Sequence, residues 1–167
     1  MLLLVKRAQK GDAEAFVTLI ESCKSSMYKI ARGFFTSEDD IADAIGETVL
    51  KAYEHISEVK HAAYFKTWLM RILINSCNEV LRDRKHCETM EILPEEGYQD
   101  QSLAEVEFRD MLSEFPEDCR TIIQLYYGEQ FNTREIADIL DMNENTVKSK
   151  LRRTRQTLRE HMLMSVI

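Results

Sequence analysis

Residues 132–159, NTREIADILDMNENTVKSKLRRTRQTLR, leave the backbone few choices and read as two short helices joined by a tight turn. Asn132 stands where a helix start needs a side-chain acceptor. Glu135, three residues on, completes a capping box, so orphan N–H groups find partners inside the motif. Ile136, Ala137 and Leu140 follow as one apolar stripe. Asp141-Met142 breaks that pattern, and Asn143 is placed to cap a second helix. From Asn145 to Arg159 there are six Lys or Arg and no Asp or Glu. Val147, Leu151 and Leu158 share one face, with Thr154 beside them. Asn145, Ser149, Arg152 and Gln156 fall opposite, flanked by Lys148 and Arg153. An apolar inner face and an outer face of amide, hydroxyl and guanidinium groups suit a helix that lies in the DNA major groove. A plainly solvated basic face would have similar composition. The paired caps, and the absence of acid from one helix of an acidic chain, favour DNA.

Charge organises the remaining sequence. The 167-residue chain has a net charge of −7. Residues 1–86 carry 13 basic and 12 acidic side chains, residues 87–118 carry 1 and 11, and residues 119–167 carry 8 and 6. All the excess negative charge therefore sits in the middle, which argues against a generic nucleic-acid coat protein. Glu88 to Gln101 contains Pro94 and Gly97 and has no clear period, the pattern of a linker between two modules.

Other chemistry is poorly supported. Cys23, Cys77, Cys87 and Cys119 form no CxxC or CxxxC pair, and the four histidines lie outside ligand spacing, so no metal is expected. Free buried thiols in a reducing cytosol are the simple account. The apolar run at MLLLVKRAQKGD is too short for a signal peptide, and no run has membrane length. No nucleophile–base pattern or Gly-rich phosphate loop suggests catalysis, so neither an enzyme nor a cofactor is expected.

Five glycines and two prolines are too few for a turn-rich β fold. The spacing predicts helices over Leu3–Lys10, Ala13–Thr36, Glu38–Ile56, Ala62–Lys85, Leu103–Phe115 and Asp118–Tyr127, then the hairpin. Ser37 is expected to cap the third. In that helix Ile41, Ile45, Val49, Ala52 and Tyr53 follow the apolar period, which leaves Asp43, Glu47 and Glu54 outward. In the fourth, Leu69, Ile72, Leu73, Ser76 and Val80 form a core stripe. Trp68, Arg71, Asn75, Asn78 and Arg82 occupy another face. A Trp aligned with Arg and Asn suits a surface that stacks on unpaired bases, although a lone Trp equally serves as core.

These residues carry a resemblance. The chain resembles the extracytoplasmic-function (ECF) sigma factors, the group IV promoter-recognition subunits of bacterial RNA polymerase, over nearly its whole length. AQKGDAEAF (8–16) is similar to the start of sigma domain 2. DIADAIGETVLKAY (40–53) resembles the polymerase-binding helix, and FKTWLMRILINSCNEVLR (65–82) the minus-10 and melting helix. Residues 115–159 resemble sigma domain 4. The TVKSKL…R…LR run after an EIA helix is the most specific piece. Gly46 stands where Gln is usual, Glu79 where Asp is common, and Asp141 where the turn usually has Gly. Asp tolerates the left-handed conformation better than most residues.

The resemblance implies an all-α chain of two small helical domains: sigma domain 2 over 1–86, an acidic linker over 87–102, and sigma domain 4 with its helix-turn-helix over 103–167. It implies that Asp43 and Glu47 dock on the clamp of the largest polymerase subunit, while domain 4 meets the flap of the second-largest subunit. Lys60, His61, Tyr64, Trp68, Arg71 and Asn75 would capture the minus-10 element as single strand. Lys148, Ser149 and Arg153 would read minus-35 base edges, while Asn145, Thr146 and Arg152 hold phosphates or the groove wall. It further implies an anti-sigma factor, often membrane-anchored in this family, and no small-molecule substrate. The protein would be cytoplasmic, or membrane-associated while so held. A helix-turn-helix regulator without sigma activity is the alternative. It would normally dimerise on a palindrome, and it leaves the Trp68 helix without a task.

Overall fold

The computed structural model describes residues 1–87 and 112–164, with side chains described for 1–84 and 112–160. Every regular element among them is helical. The chain divides into two compact units, Met1–Gly97 and Tyr98–Ile167. The connector from Glu88 to Gln101 and most of the helix expected at Leu103–Phe115 lie outside the described residues.

In the first unit, α1 spans Leu2–Ala8, α2 Ala13–Ala31, α3 Glu38–His55 and α4 Phe65–Cys87. Gly11, at φ +88°, makes the turn between α1 and α2, a conformation that suits a residue without a side chain. Asp12 then caps α2. Its Oδ1 accepts from the Ala15 N–H at 3.0 Å, and its Oδ2 from Arg7 Nε at 2.7 Å. Those two donors, Ala15 first, hold the Asp12 carboxyl below its usual range.

α2 stops at Ala31, short of the expected Thr36. Gly33, Phe34 and Phe35 continue in tightening turns on the Ile30 and Ala31 carbonyls, and Phe35 drops into the core. Glu38 closes the corner by accepting from Tyr28 Oη at 2.9 Å and Arg32 Nη1 at 3.0 Å. Ser37 sits at the N-cap of α3 but makes no side-chain capping bond. Glu38, Asp39 and Asp40 instead supply negative charge to that helix start.

The buried stripe of α3 is Asp40, Ile41, Ala44, Thr48 and Ala52. This is rotated from the expected stripe: Ile45 and Val49 are only half-buried and Tyr53 faces out. The rotation follows from packing α3 mainly on α4. Two polar residues enter that contact because each has a partner. Thr48 Oγ1 donates to the Ala44 carbonyl at 2.6 Å, and Asp40 pairs with Arg84 of α4 at 2.5 Å.

α4 packs against both α2 and α3, so it buries a wider face than one stripe. Phe65, Leu69, Met70, Leu73, Ile74, Ser76 and Cys77 are all inside, while Ile72 and Val80 lie at the margin. They meet Leu19, Cys23, Met27 and Ile30 of α2 in one core. Each large side chain so buried contributes roughly 1.5–3 kcal/mol. Burial pushes the Cys77 thiol up to about 12, so it stays protonated. Cys23, Cys77 and Cys119 are free thiols.

In the second unit, α5 covers Glu117–Ile123, α6 Thr133–Leu140 and α7 Glu144–Met164. The helix expected over Asp118–Tyr127 changes character part-way. Gln124–Gly128 is a π turn, with the Glu129 N–H bonded to the Gln124 carbonyl at 3.2 Å. Phe131 is thereby drawn inside beside Ile122, Ile123 and Leu125.

Candidate nucleic-acid interface

The hairpin of α6 and α7 forms as its caps dictate. Asn132 Oδ1 accepts from the Arg134 and Glu135 N–H groups, both at 3.0 Å, and Glu135 Oε2 accepts from the Asn132 N–H at 2.9 Å. Asp141 ends α6 at φ 53°, ψ 46°, in the left-handed region. The Met142 N–H returns to the Ala137 carbonyl, and Asn143 Oδ1 takes the Asn145 N–H at 2.8 Å to start α7. Ile136, Ala137 and Ile139 fill the inner side of α6. Val147, Leu151 and Thr154 fill that of α7, with Leu158 half-buried. Ile139 replaces the expected Leu140, which is only half-covered. Thr154 enters the core because its Oγ1 donates to the Lys150 carbonyl at 2.9 Å.

With those residues inside, Asn145, Thr146, Lys148, Ser149, Arg152 and Arg153 are all exposed on α7. Arg155 has a different environment. Its guanidinium lies 5.7 Å from the Tyr127 ring centroid, tying α7 to the π turn. Glu144, at the head of α7, bonds both Lys148 and Thr133. Neither contact was anticipated from the sequence, because the π turn has no simple periodic signature and Glu144 falls just outside the acid-free run.

The first unit holds a second exposed strip. Lys60, His61, Tyr64, Arg71 and Asn75 are exposed, and Trp68 is half-buried. The Trp68 ring leans on buried Phe65, with centroids 5.9 Å apart. Trp68 is thus anchored on the core without belonging to it. Tyr64 and His61 meet edge to face at 6.1 Å where the 3-10 turn Ala62–Tyr64 leads into α4. Gln9, the C-cap of α1, holds the preceding loop, its Nε2 donating to the Val59 carbonyl at 2.8 Å and the Ile56 carbonyl at 3.2 Å. That contact spans the unit and has no local sequence signal.

Asp43 and Glu47 are exposed on α3. Glu47 approaches Lys51 at 3.5 Å, and Lys51 also reaches Glu79 of α4 at 2.5 Å, so this side of α3 is braced on the next helix. On the same helix Leu50 and Tyr53 are 62% and 56% exposed, and Val17 of α2 is 58% exposed. Tyr53 meets Phe16 edge to face at 5.1 Å. The helical period could have revealed Leu50, which falls off the α3 core stripe. Gly46 also lies on the open side, where an added Cβ would touch nothing within 4 Å. Among the described residues no cluster could hold a metal ion, and no helix is long and apolar enough to cross a membrane.

Residues 19–87 match the family described as Sigma-70 region 2, and residues 105–158 match Sigma-70, region 4. RNA polymerase sigma factor SigV of Bacillus subtilis is 32% identical over 163 residues, covering 93% of this chain and 95% of that protein. This chain belongs to the ECF sigma factors. The ECF RNA polymerase sigma-E factor of Escherichia coli is 29% identical over 175 residues, covering 93% and 91%. CnrH, solved with the cytosolic domain of CnrY, shares the fold at a TM-score of 0.75 and 21% identity, covering 96% of both chains. RpoE of Bartonella quintana, solved with the anti-sigma factor NepR, does so at 0.73 and 23%, covering 89% of this chain and 96% of its own. The sigma factor carries both a region 2 and a region 4, which a regulator lacking sigma activity does not require.

Proposed function

We propose that this sigma factor recruits core RNA polymerase to promoters by dividing the DNA between its two units. In this reading α7 reads the minus-35 element as duplex. Lys148, Ser149 and Arg153 face base edges, and Asn145, Thr146 and Arg152 hold phosphates or the groove wall. Lys60, His61, Tyr64, Trp68, Arg71 and Asn75 capture the minus-10 element as single strand, because unpaired bases held on a protein surface cannot re-anneal. The observation that carries the proposal is that each unit presents its strip outside a buried apolar core, all of its residues exposed except the half-buried Trp68.

Core polymerase docks, on this reading, through Asp43 and Glu47 on α3 to the clamp of the largest subunit. The exposed Leu50 and Tyr53 supply apolar contact beside the charges. Domain 4 meets the flap of the second-largest subunit. An anti-sigma factor would compete for these surfaces. CnrH and RpoE, which share this fold, were each captured with such a partner chain, the cytosolic domain of CnrY and the anti-sigma factor NepR. Membrane anchoring of that partner would bring the complex to the membrane surface.

Run-off transcription by core polymerase, with and without this chain, on the DNA upstream of its own gene tests the proposal. A discrete transcript that requires the chain is expected. Equal products in both reactions would overturn it.

A further inference from the structure

We infer that Glu144 is a positioning residue for Lys148, holding its ammonium at the α6–α7 turn and thereby setting how strictly α7 discriminates base sequence. The inference rests on α7 being the duplex reader. Glu144 Oε1 lies 2.8 Å from Lys148 Nζ, one turn along the helix. The same oxygen accepts a hydrogen bond from Thr133 Oγ1 at 2.9 Å, across the turn on α6. One carboxylate therefore bridges the first turns of both helices and fixes the head of an exposed lysine. Lys148, and then Thr133, hold the Glu144 carboxyl below its usual range, so it is charged at every pH where DNA binding matters.

A solvent-exposed pair of this kind adds little to fold stability. Its consequence lies in what a free lysine would do. Lysine is a point charge on a long flexible stem, and an untethered one is drawn equally to any phosphate, which adds affinity without sequence information. Tethered to Glu144, Lys148 meets the groove with fewer orientations to lose. The nearby carboxylate also repels phosphates. A duplex that offers Lys148 no acceptor on its base edges then gains little from it. Specificity rises while sequence-independent affinity falls.

The test uses the full-length chain and duplexes selected from a randomised pool. For each variant, the affinity for the selected duplex is divided by that for a scrambled duplex. Glu144→Gln keeps the side-chain shape and an oxygen for Thr133 but removes the charge. It is expected to bind scrambled duplex several-fold more tightly. Its salt dependence should steepen by up to about 0.9 in log–log slope, one phosphate contact, and its specificity ratio should fall by up to about fivefold, the scale of an exposed ion pair. In a Lys148→Met background, Glu144→Gln should leave the ratio unchanged. Glu144→Asp, which keeps the charge on a shorter arm, should also lower the ratio. Circular dichroism verifies folding of each variant.

An unchanged ratio in Glu144→Gln, the parental ratio in Glu144→Asp, or an equal drop with and without Lys148 overturns the inference while leaving α7 as the reader. A parent chain that fails to distinguish selected from scrambled duplex overturns the reading of α7, and this inference with it.

Discussion

Lys150 of α7 and Asp118 in the first turn of α5 meet at 2.5 Å, Nζ to Oδ2, and so join the two helices. The hydrogen bond holds the Asp118 carboxyl below its usual range and raises the Lys150 ammonium above its own. Because the aspartate is depressed, its contribution to stability is present above the ordinary Asp value of about 3.9 and is lost as pH falls through the folded value. Because the lysine is raised, its share is present below about 10.4 and is lost as pH rises through the folded value. Asp118→Asn should therefore flatten the stability profile of the chain at both ends. At neutral pH it should cost about 0.5–1 kcal/mol, as for a partly exposed pair. Chemical denaturation across pH checks this, and a profile parallel to the parent's would count against the pair.

Arg153→Ala should relax base preference at one position of the minus-35 element and cost about 1–3 kcal/mol there. Binding to a set of single-base variants is the measurement. Equal weakening on every sequence would mean that Arg153 contacts only phosphate.

Glu47→Lys should weaken competition for core polymerase without unfolding the chain. The side chain is exposed, and its neighbour Lys51 retains Glu79. Charge reversal on a docking face replaces attraction with repulsion. An unchanged result in a competitive pull-down would remove the Asp43–Glu47 face from the interface.

Asp141→Ala should destabilise the hairpin by about 1 kcal/mol, because α6 ends with φ at 53° and an alanine has no local polar group to favour that region. Asp141→Gly should cost less than Asp141→Ala, since glycine enters the region freely. Thermal unfolding of the two variants decides the order.

Trp68 and Asn75 should act at strand opening. Stacking of one base is worth about 1–3 kcal/mol, enough to change open-complex occupancy tenfold or more. Asn75→Ala is the cleaner probe because Asn75 is exposed, whereas Trp68 also leans on Phe65. Both variants should initiate poorly on duplex promoter, and the defect should shrink on a template already unpaired across the minus-10 region. Folded variants that open duplex DNA as well as the parent would make this face of α4 structural.

The hairpin was legible in the sequence because its determinants are local. Asn132, Glu135, Asp141 and Asn143 act within a few residues of themselves, so spacing alone sets both ends of α6, the turn and the start of α7, which runs on past the expected Arg159 to Met164. The outward side of α7 followed for the same reason, since Val147, Leu151 and Thr154 mark the buried side at helical period. Only tertiary packing decided which side of α3 is core. Ile45, Val49 and Tyr53 are apolar enough to be buried, but α4 offers its surface to Ile41, Ala44, Thr48 and Ala52 instead. That leaves Leu50 and Tyr53 outside. The same holds for the loop before α4, fixed by Gln9 just past the end of α1, and for Lys148, fixed by a carboxylate that also bonds α6. Caps and periodicity act over one or two turns and can be read along the chain. A side chain that joins two helices depends on which faces meet, and that is settled when the helices pack.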